Sequence, residues 1–479
     1  MAAPVRYLCL SDLHLGAQTC LLTDMEPDRV EPAASDVLLE LVACLRSVVS
    51  ANGGVKPTLI LLGDALEFAL APDEISAMGF QRFAELTMAP GDELFDAIWF
   101  VPGNHDHHLW EAARETQYAS YVGRHDMALP LDPPWHSTRM LHEEDPYGVG
   151  SPLLTALLRR ARGGSTRTDT AAGASSETAA SLPVVSAIYP NLALARGDRC
   201  IALHHGHFIE PAYSLMTSLN RIAFQVDPPA HVGDLEADNF AWIDFMWSAL
   251  ARSGSAGASV RYIYDHIQYI EDRKQLVDRL ALGLAHAWKN ATWLDGVEDA
   301  AQDWLIRTAL EALAENVNSM GRRAYYGGHD GSATEDIGLT SYLETYVVEQ
   351  LSREFKGGLP NDVTFVYGHT HHPREVARLP IAGLSRGVDV YNTGGWVHET
   401  KGREPLVGAS MVLIDDDLEV ASLRLYNETD DLARNRVEAH LALPAAEASS
   451  PLIAHARRML ASDPGPWARL VRAVDAAIG

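Results

Sequence analysis

Five short apolar runs in this sequence each end directly in a turn that carries carboxylate, amide or imidazole side chains. The runs are residues 5–10, 58–62, 97–101, 200–203 and 363–367. Bounded apolar runs of this length indicate buried strands. Open α/β sheets place their ligand-binding groups at the carboxyl ends of the strands. The pattern therefore predicts a sheet protein with polar, functional side chains gathered along one edge.

The segments around these runs predict the fold class. Apolar residues recur at intervals of three and four along residues 34–50, which indicates a helix with one buried face. Strand, helix and strand in succession make a βαβ unit with parallel neighbours. Residues 192–195 and 200–203, joined by a polar turn, predict a hairpin. We expect an α/β protein.

Composition divides the chain into segments. Residues 163–181 consist largely of Gly, Ser, Thr and Ala, which bury too little to offset the entropy of ordering, whereas 208–360 show apolar stripes at helical spacing. We expect the N-terminal part of a core at 1–160, a flexible low-complexity loop at 161–184, core strands at 185–208, a large helical insertion acting as a cap or lid subdomain at 209–360, the C-terminal part of the core at 361–428, and a helical tail at 429–479.

The first part of the insertion, residues 213–247, is dense in aromatic residues and Met. Such a segment fits the core of a subdomain, and it also fits a lid that lines a substrate cleft. We favour the subdomain core.

Charge and hydropathy restrict the partners and the compartment. The 479 residues carry a formal net charge of −26, and this disfavours binding to nucleic acid, which requires Lys and Arg to neutralise phosphates. Four cysteines show no paired metal-ligand spacing. The sequence lacks an apolar run of about 18 residues, so we expect no membrane span. No signal peptide fits ahead of Asp12, and we expect a cytoplasmic protein.

The turns after the five runs supply seven candidate metal ligands. They are Asp12, His14, Asp64, Asn104, His205, His369 and His371. An isolated Asp-x-His is more often a polar turn, but carboxylate, amide and imidazole donors together suit Mn, Fe or Zn. Seven donors exceed the needs of one tetrahedral site, whereas two ions sharing a bridging carboxylate would use them all. Gly63, Gly103 and Gly368 precede three of the donors, which indicates tight turns with close backbone approach.

At these residues the chain resembles the calcineurin-like metallophosphoesterases. The shared motifs, in order, are Asp-x-His, Gly-Asp, Gly-Asn-His-Asp, His-Gly-His and Gly-His-x-His. The resemblance covers roughly residues 4–125, 190–210 and 361–428, and it leaves out the helical insertion and the tail. It implies an α/β/β/α sandwich core of the metallophosphoesterase type.

The resemblance also implies a role for each residue. Its ligand set places Asp12, His14 and His371 on a first metal, places Asn104, His205 and His369 on a second, and makes Asp64 the bridge. His205 is chosen over His204 because the family's ligand precedes the Gly. His105 is implied as the general acid or transition-state stabiliser, and Asp64 as catalytic through its bridging position. His207 and Asn104 are candidates for substrate binding, and Asp106 is expected either to orient His105 or to cap the following helix.

The function that the resemblance implies is hydrolysis of a phosphate ester or pyrophosphate bond. A metal-bridging hydroxide would be the nucleophile, and the two metals are expected to be Mn, with Fe or Zn as alternatives. A phosphodiester or nucleotide pyrophosphate, as a small-molecule or lipid-linked substrate, is favoured over a monoester. The insertion resembles, in placement only, the lids of members that cleave nucleotide-sugar-lipid pyrophosphates, although those carry Arg where this chain has His105. A non-catalytic binding or scaffold protein on the same fold, or a nuclease member, is the alternative, and the oligomeric state is left open.

Overall fold

The strands of the protein alternate with helices along much of the chain, as the sequence predicts for an α/β protein. The computed structural model describes residues 5–25, 31–141, 149–163, 184–224, 226–249, 331–356, 358–398, 402–429 and 436–479. The strands within these ranges are β1 Val5–Leu10, β2 Thr23–Asp24, β3 Ala33–Ala34, β4 Thr58–Leu62, β5 Ile98–Val101, β6 Val149–Gly150, β7 Val185–Ala187, β8 Asn191–Arg196, β9 Arg199–His204, β10 Asp362–Tyr367, β11 Arg374–Ile381, β12 Leu384–Asn392, β13 Gly408–Asp415, β14 Val420–Asn427 and β15 Glu438–His440.

The larger sheet has eight strands in the order β15-β14-β13-β1-β4-β5-β7-β6. Its centre, from β1 through β4 and β5 to β7, is parallel, and β13 joins β1 in the antiparallel sense. Every residue of β4 is buried. Near-continuous apolar sequence is typical of parallel strands covered on both faces, and this is why the apolar runs gave correct strand positions.

The smaller sheet has five strands in the order β11-β12-β10-β9-β8. β9, β10 and β12 are parallel, while β8 and β9 form the predicted antiparallel hairpin. The remaining two described strands, β2 and β3, pair with each other. The eight-stranded and the five-stranded sheet are therefore both mixed. In each of them, the strands that precede the polar turns run parallel.

Helices cover both sheets. Those in the described ranges are α1 Asp36–Ala51, α2 Asp73–Thr87, α3 His108–Arg124, α4 Pro152–Ala161, α5 Leu215–Phe224, α6 Val232–Ile243, α7 Gly331–Tyr342, α8 Val348–Glu354, α9 Pro451–Ser462 and α10 Pro464–Ile478. α1 confirms the helix predicted within 34–50, and its first turn is capped by the Ser35 hydroxyl, which accepts a hydrogen bond from the Leu38 amide at 3.1 Å. None of the described helices is long and apolar enough to cross a membrane.

Three apolar clusters hold these elements together. One joins the larger sheet to α1–α4, α9 and α10, and a second joins the smaller sheet to α6, α7 and α8. The third contains Ile60 and Val101 of the larger sheet together with Leu203 and Val366 of the smaller one. The two sheets therefore share a core, and strand ends from both can contribute to one site. The division into core, insertion and tail stays a prediction, and residues 225, 250–330 and 357 of the insertion lie outside the described ranges.

Candidate metal centre

The five polar turns meet because the strands before them lie side by side. β1, β4 and β5 are parallel neighbours in the larger sheet, and β9 and β10 are parallel neighbours in the smaller one. All seven predicted ligands are at most 4% exposed. The structure thus brings every one of them into a single connected, buried cluster.

The backbone at these positions is strained. Seven described residues other than glycine have φ in the left-handed region, and five of them are predicted ligands. The five are Asp12, His14, Asp64, His369 and His371, with φ between 43° and 69°. A residue with a Cβ pays of order 1–3 kcal/mol for such a conformation, and strain of this kind concentrates at functional sites. The turns therefore direct these side chains into the cluster at a cost in backbone conformational energy.

The glycines before the ligands are required by space. A Cβ on Gly63 would lie 2.2 Å from His205 Nδ1, one on Gly103 would lie 2.2 Å from Asp64 Oδ1, and one on Gly368 would lie 2.3 Å from Asp12 Oδ2. These distances are far inside van der Waals contact. The close backbone approach predicted from the sequence is confirmed.

The first ligand group consists of Asp12, His14 and His371. His371 Nε2 lies 3.3 Å from Asp12 Oδ1 and 3.2 Å from His14 Nε2. His14 Nδ1 donates a hydrogen bond to Glu67 at 2.8 Å, so Nε2 is the ring nitrogen that faces the cluster. Asp12 Oδ1 is buried and finds no hydrogen-bond partner in the described part of the chain. A buried carboxylate oxygen without a hydrogen-bond partner, facing two imidazole nitrogens, fits a bound cation.

The second ligand group consists of Asp64, His205 and His369, with Asn104 beside it. His205 Nε2 lies 3.2 Å from Asp64 Oδ2 and 3.1 Å from Asn104 Oδ1. His205 Nδ1 donates to the Leu62 carbonyl at 3.0 Å, which fixes the tautomer and leaves Nε2 for the site. His205, rather than its neighbour His204, is the imidazole that faces the carboxylate.

One oxygen of Asp64 faces both groups. Asp64 Oδ2 lies 3.8 Å from His14 Nε2 and 3.2 Å from His205 Nε2. The other oxygen, Oδ1, accepts a hydrogen bond from the His105 amide at 2.8 Å, which holds the carboxylate in this orientation. Asp64 therefore lies between the two ligand groups, and its role as a bridging carboxylate stays a prediction.

The electrostatics of the cluster favour a bound cation. Burial alone would raise the pKa of Asp12, but the charges of His205 and His371 outweigh it and lower the pKa to about 2. Burial would lower the pKa of His14, but its hydrogen bond to Glu67 and the nearby carboxylates raise it to about 10. Asp64 and Asp12 similarly raise the pKa of His205 to about 9. The carboxylates thus stay ionised and favour the protonated forms of His14 and His205. A cation that took the place of those protons would meet the same negative charge.

Glu67 is a site residue to which sequence reasoning assigned no role. Its Oε2 accepts from His14 Nδ1 at 2.8 Å, and its Oε1 accepts from His105 Nδ1 at 2.7 Å. The carboxylate is 2% exposed, and although burial opposes ionisation, the two imidazoles lower its pKa to about 2. Glu67 thereby fixes the tautomers of a candidate ligand and of the candidate acid. Its position three residues after Asp64 was the signal available in the sequence.

The structure contradicts the expectation for Asp106 and shows the surroundings of His207. Asp106 neither orients His105 nor caps α3, because its carboxylate accepts from the amides of Gly103 and Ala65, each at 2.7 Å, and so ties the Asn104 turn to the Asp64 turn. His207 is fully buried, and its Nε2 lies 3.2 Å from the Tyr189 hydroxyl. Its role in substrate binding stays a prediction.

No family model and no curated protein matched this chain in the comparisons made with each. The functional assignment therefore rests on the geometry of the site.

The position of Glu67 predicts a large effect on metal affinity. We expect Glu67→Gln to weaken Mn²⁺ binding by about 10–100-fold, because the amide cannot accept from both imidazoles at once. Calorimetric titration of chelator-treated protein measures this. Glu74→Gln on the exposed face of α2 is the matched control and should bind Mn²⁺ like the wild type. Equal affinity in both variants would contradict the role given to Glu67.

Proposed function

We propose that the protein is a dinuclear metal-dependent hydrolase of phosphate ester or pyrophosphate bonds. The observation that carries the proposal is Asp64, whose Oδ2 faces an imidazole from each of two ligand groups. A carboxylate shared in this way is the arrangement that two-metal hydrolases use to hold their ions close together. The proposal includes membership of the calcineurin-like metallophosphoesterases and their α/β/β/α core. A core cluster drawn from both sheets, with helices packed on each sheet, supports that architecture.

The residues present fit two metal ions. Asp12, His14 and His371 would hold one, Asn104, His205 and His369 would hold the other, and Asp64 would contact both. The orphaned Asp12 Oδ1 and the buried, unpaired Asn104 amide nitrogen mark a site whose hydrogen bonds are incomplete within the described protein. Imidazole, carboxylate and amide donors favour Mn, with Fe or Zn as alternatives. When bound, the ions would lower the pKa of the attacking water and neutralise charge on the phosphoryl oxygens.

His105 is the proposed general acid, which would protonate the leaving oxygen. Its Nδ1 donates to Glu67 and its amide donates to Asp64, so the ring is held from two sides. Its centroid lies 4.8 Å from that of His14, edge to face. With Nδ1 occupied, Nε2 is the atom that would deliver a proton to the substrate. Proton transfer from a positioned acid typically contributes about 10²–10⁴-fold to the rate.

The charges around the site favour diesters or pyrophosphates over monoesters. Asp12, Asp64 and Glu67 surround it, and Glu210 Oε1 lies 3.3 Å from His369 Nε2 at the partly exposed side. A phosphodiester carries one negative charge, whereas a phosphomonoester carries nearly two at neutral pH, so additional carboxylates repel the monoester more strongly. The overall charge of −26 likewise disfavours a nucleic-acid substrate.

The bridging position of Asp64 predicts loss of hydrolysis in Asp64→Asn. We expect Mn²⁺-dependent hydrolysis of bis-(p-nitrophenyl) phosphate by the wild type to exceed hydrolysis of p-nitrophenyl phosphate. The variant should lose more than about 10²-fold, since changes to residues behind the ligands already cost about 10–100-fold. Asp36→Asn, an exposed residue at the start of α1, is the control. Folded wild-type protein that binds no metal and cleaves neither ester would overturn the proposal.

A general acid has a distinctive dependence on the leaving group. We expect His105→Asn to slow hydrolysis of diphenyl phosphate by about 10²–10⁴-fold and of bis-(p-nitrophenyl) phosphate by much less, because p-nitrophenolate needs little help from an acid. Ligand atoms of His105, His14 and Asp64 also lie within 4.8 Å of one another. Metal content must therefore be measured beside the rates. An equal loss on both esters, with one metal missing, would make His105 a ligand instead of the acid.

A further inference from the structure

A second buried polar cluster lies where the predicted insertion packs against α3, apart from the seven ligands described above. It consists of His107, Glu111 and Glu236, which are 0%, 8% and 0% exposed. Ligand atoms of the three residues lie within 4.8 Å of one another. We propose that this cluster binds a further divalent cation, with Zn²⁺ as the expected occupant.

The helices present the three side chains to one point. His107 directly precedes α3 in helical conformation, and Glu111 follows four residues later, so the imidazole and the carboxylate lie on the same face one turn apart. Glu236 comes from the middle of α6, about 130 residues further along the chain, and its Oε1 lies 2.7 Å from His107 Nε2. Two ligands from one helix turn and a third from a facing helix make a common frame for zinc.

One oxygen of each carboxylate accepts a hydrogen bond from a residue outside the cluster. Glu111 Oε2 accepts from Arg114 Nη2 at 2.5 Å, and Glu236 Oε2 accepts from the Tyr189 hydroxyl at 3.0 Å. Metal ligands are characteristically oriented by such outer partners, which leave the other atom for the ion. The arrangement therefore has a pre-oriented donor from each helix.

Two atoms of the cluster are left unsatisfied. Glu111 Oε1 and His107 Nδ1 are both buried without a hydrogen-bond partner among the residues described. Asp244 is a further acid beside the cluster. Its Oδ1 lies 3.9 Å from His107 Nδ1, beyond hydrogen-bond distance, so it adds negative charge to the site without satisfying that nitrogen. An unpaired buried carboxylate oxygen is costly in free energy, and a cation would satisfy it. Imidazole with two carboxylates suits Zn²⁺ better than Mg²⁺ or Ca²⁺, which prefer oxygen ligands alone.

A cation here would join two parts of the chain beside the metal centre. His107 lies three residues after Asn104 and two after His105, while Glu236 belongs to α6. The ion would fasten α6 to the turn that carries the candidate acid. This site does not depend on the proposed hydrolysis, because it uses none of the seven ligands.

Zinc stoichiometry tests the proposal. Chelator-treated wild type, Glu111→Gln and Glu115→Gln are loaded with Zn²⁺, desalted and analysed by elemental mass spectrometry. Glu115 lies one turn further along α3 and is exposed, which makes it the matched control. We expect about three equivalents in the wild type and in Glu115→Gln, and about two in Glu111→Gln. Glu236→Gln, which changes the opposite helix, should lose the same equivalent and serves if Glu111→Gln fails to fold.

The number of zinc equivalents per protein tests the further site and the dinuclear centre separately. Equal zinc content in the wild type and in both cluster variants would overturn the further site and leave His107 and Glu236 as a buried hydrogen-bonded pair. A single equivalent in the wild type that Glu111→Gln loses would support the further site and contradict the dinuclear centre.

Discussion

The site depends on the contact of Asp64 with imidazoles from both sheets. Asp64 follows β4 of the larger sheet, while His205 follows β9 of the smaller one, and 3.2 Å separates their facing atoms. This distance requires the two sheets to meet in one relative position. The core shared by Ile60 and Leu203 supplies that constraint, since close-packed interiors do not slide continuously. Packing between the sheets therefore sets the geometry of the centre.

Within each turn, strained backbone and glycine residues position the ligands, as packing between the sheets does for the site as a whole. Five ligand residues occupy the left-handed region, and three glycines leave room for the side chains that pass over them. Parallel, largely buried strands before each turn provide the stability that offsets the cost of such conformations. Asp106 contributes by holding two of the turns together through backbone amides, and its pKa is raised by burial and by Asp64, to about 7. Backbone strain, the glycines and Asp106 thus hold the candidate ligands in their arrangement.

Sequence reasoning found the parts of the site that follow from local rules. The apolar runs located β1, β4, β5, β9 and β10, and the residues just beyond them form the cluster, because parallel strands deliver their carboxyl ends to one edge. Glu67 was assigned no role and the roles expected for Asp106 were wrong, since the partners of both carboxylates depend on how neighbouring turns approach each other. The contact between His107 and Glu236 joins residues far apart in the chain, and no local pattern indicates it. Local pattern therefore predicts which residues reach the site, whereas hydrogen-bond partners require the fold.

The central claim is that two metal ions share Asp64, and electron paramagnetic resonance of the Mn²⁺-loaded protein tests it most directly. Two ions bridged by one carboxylate lie about 3.5–4 Å apart and couple magnetically. The account predicts the spectrum of a coupled Mn²⁺ pair in the wild type, and isolated Mn²⁺ signals in Asp64→Asn. Isolated six-line signals from the wild type at every Mn²⁺ loading would contradict the shared carboxylate and with it the dinuclear centre.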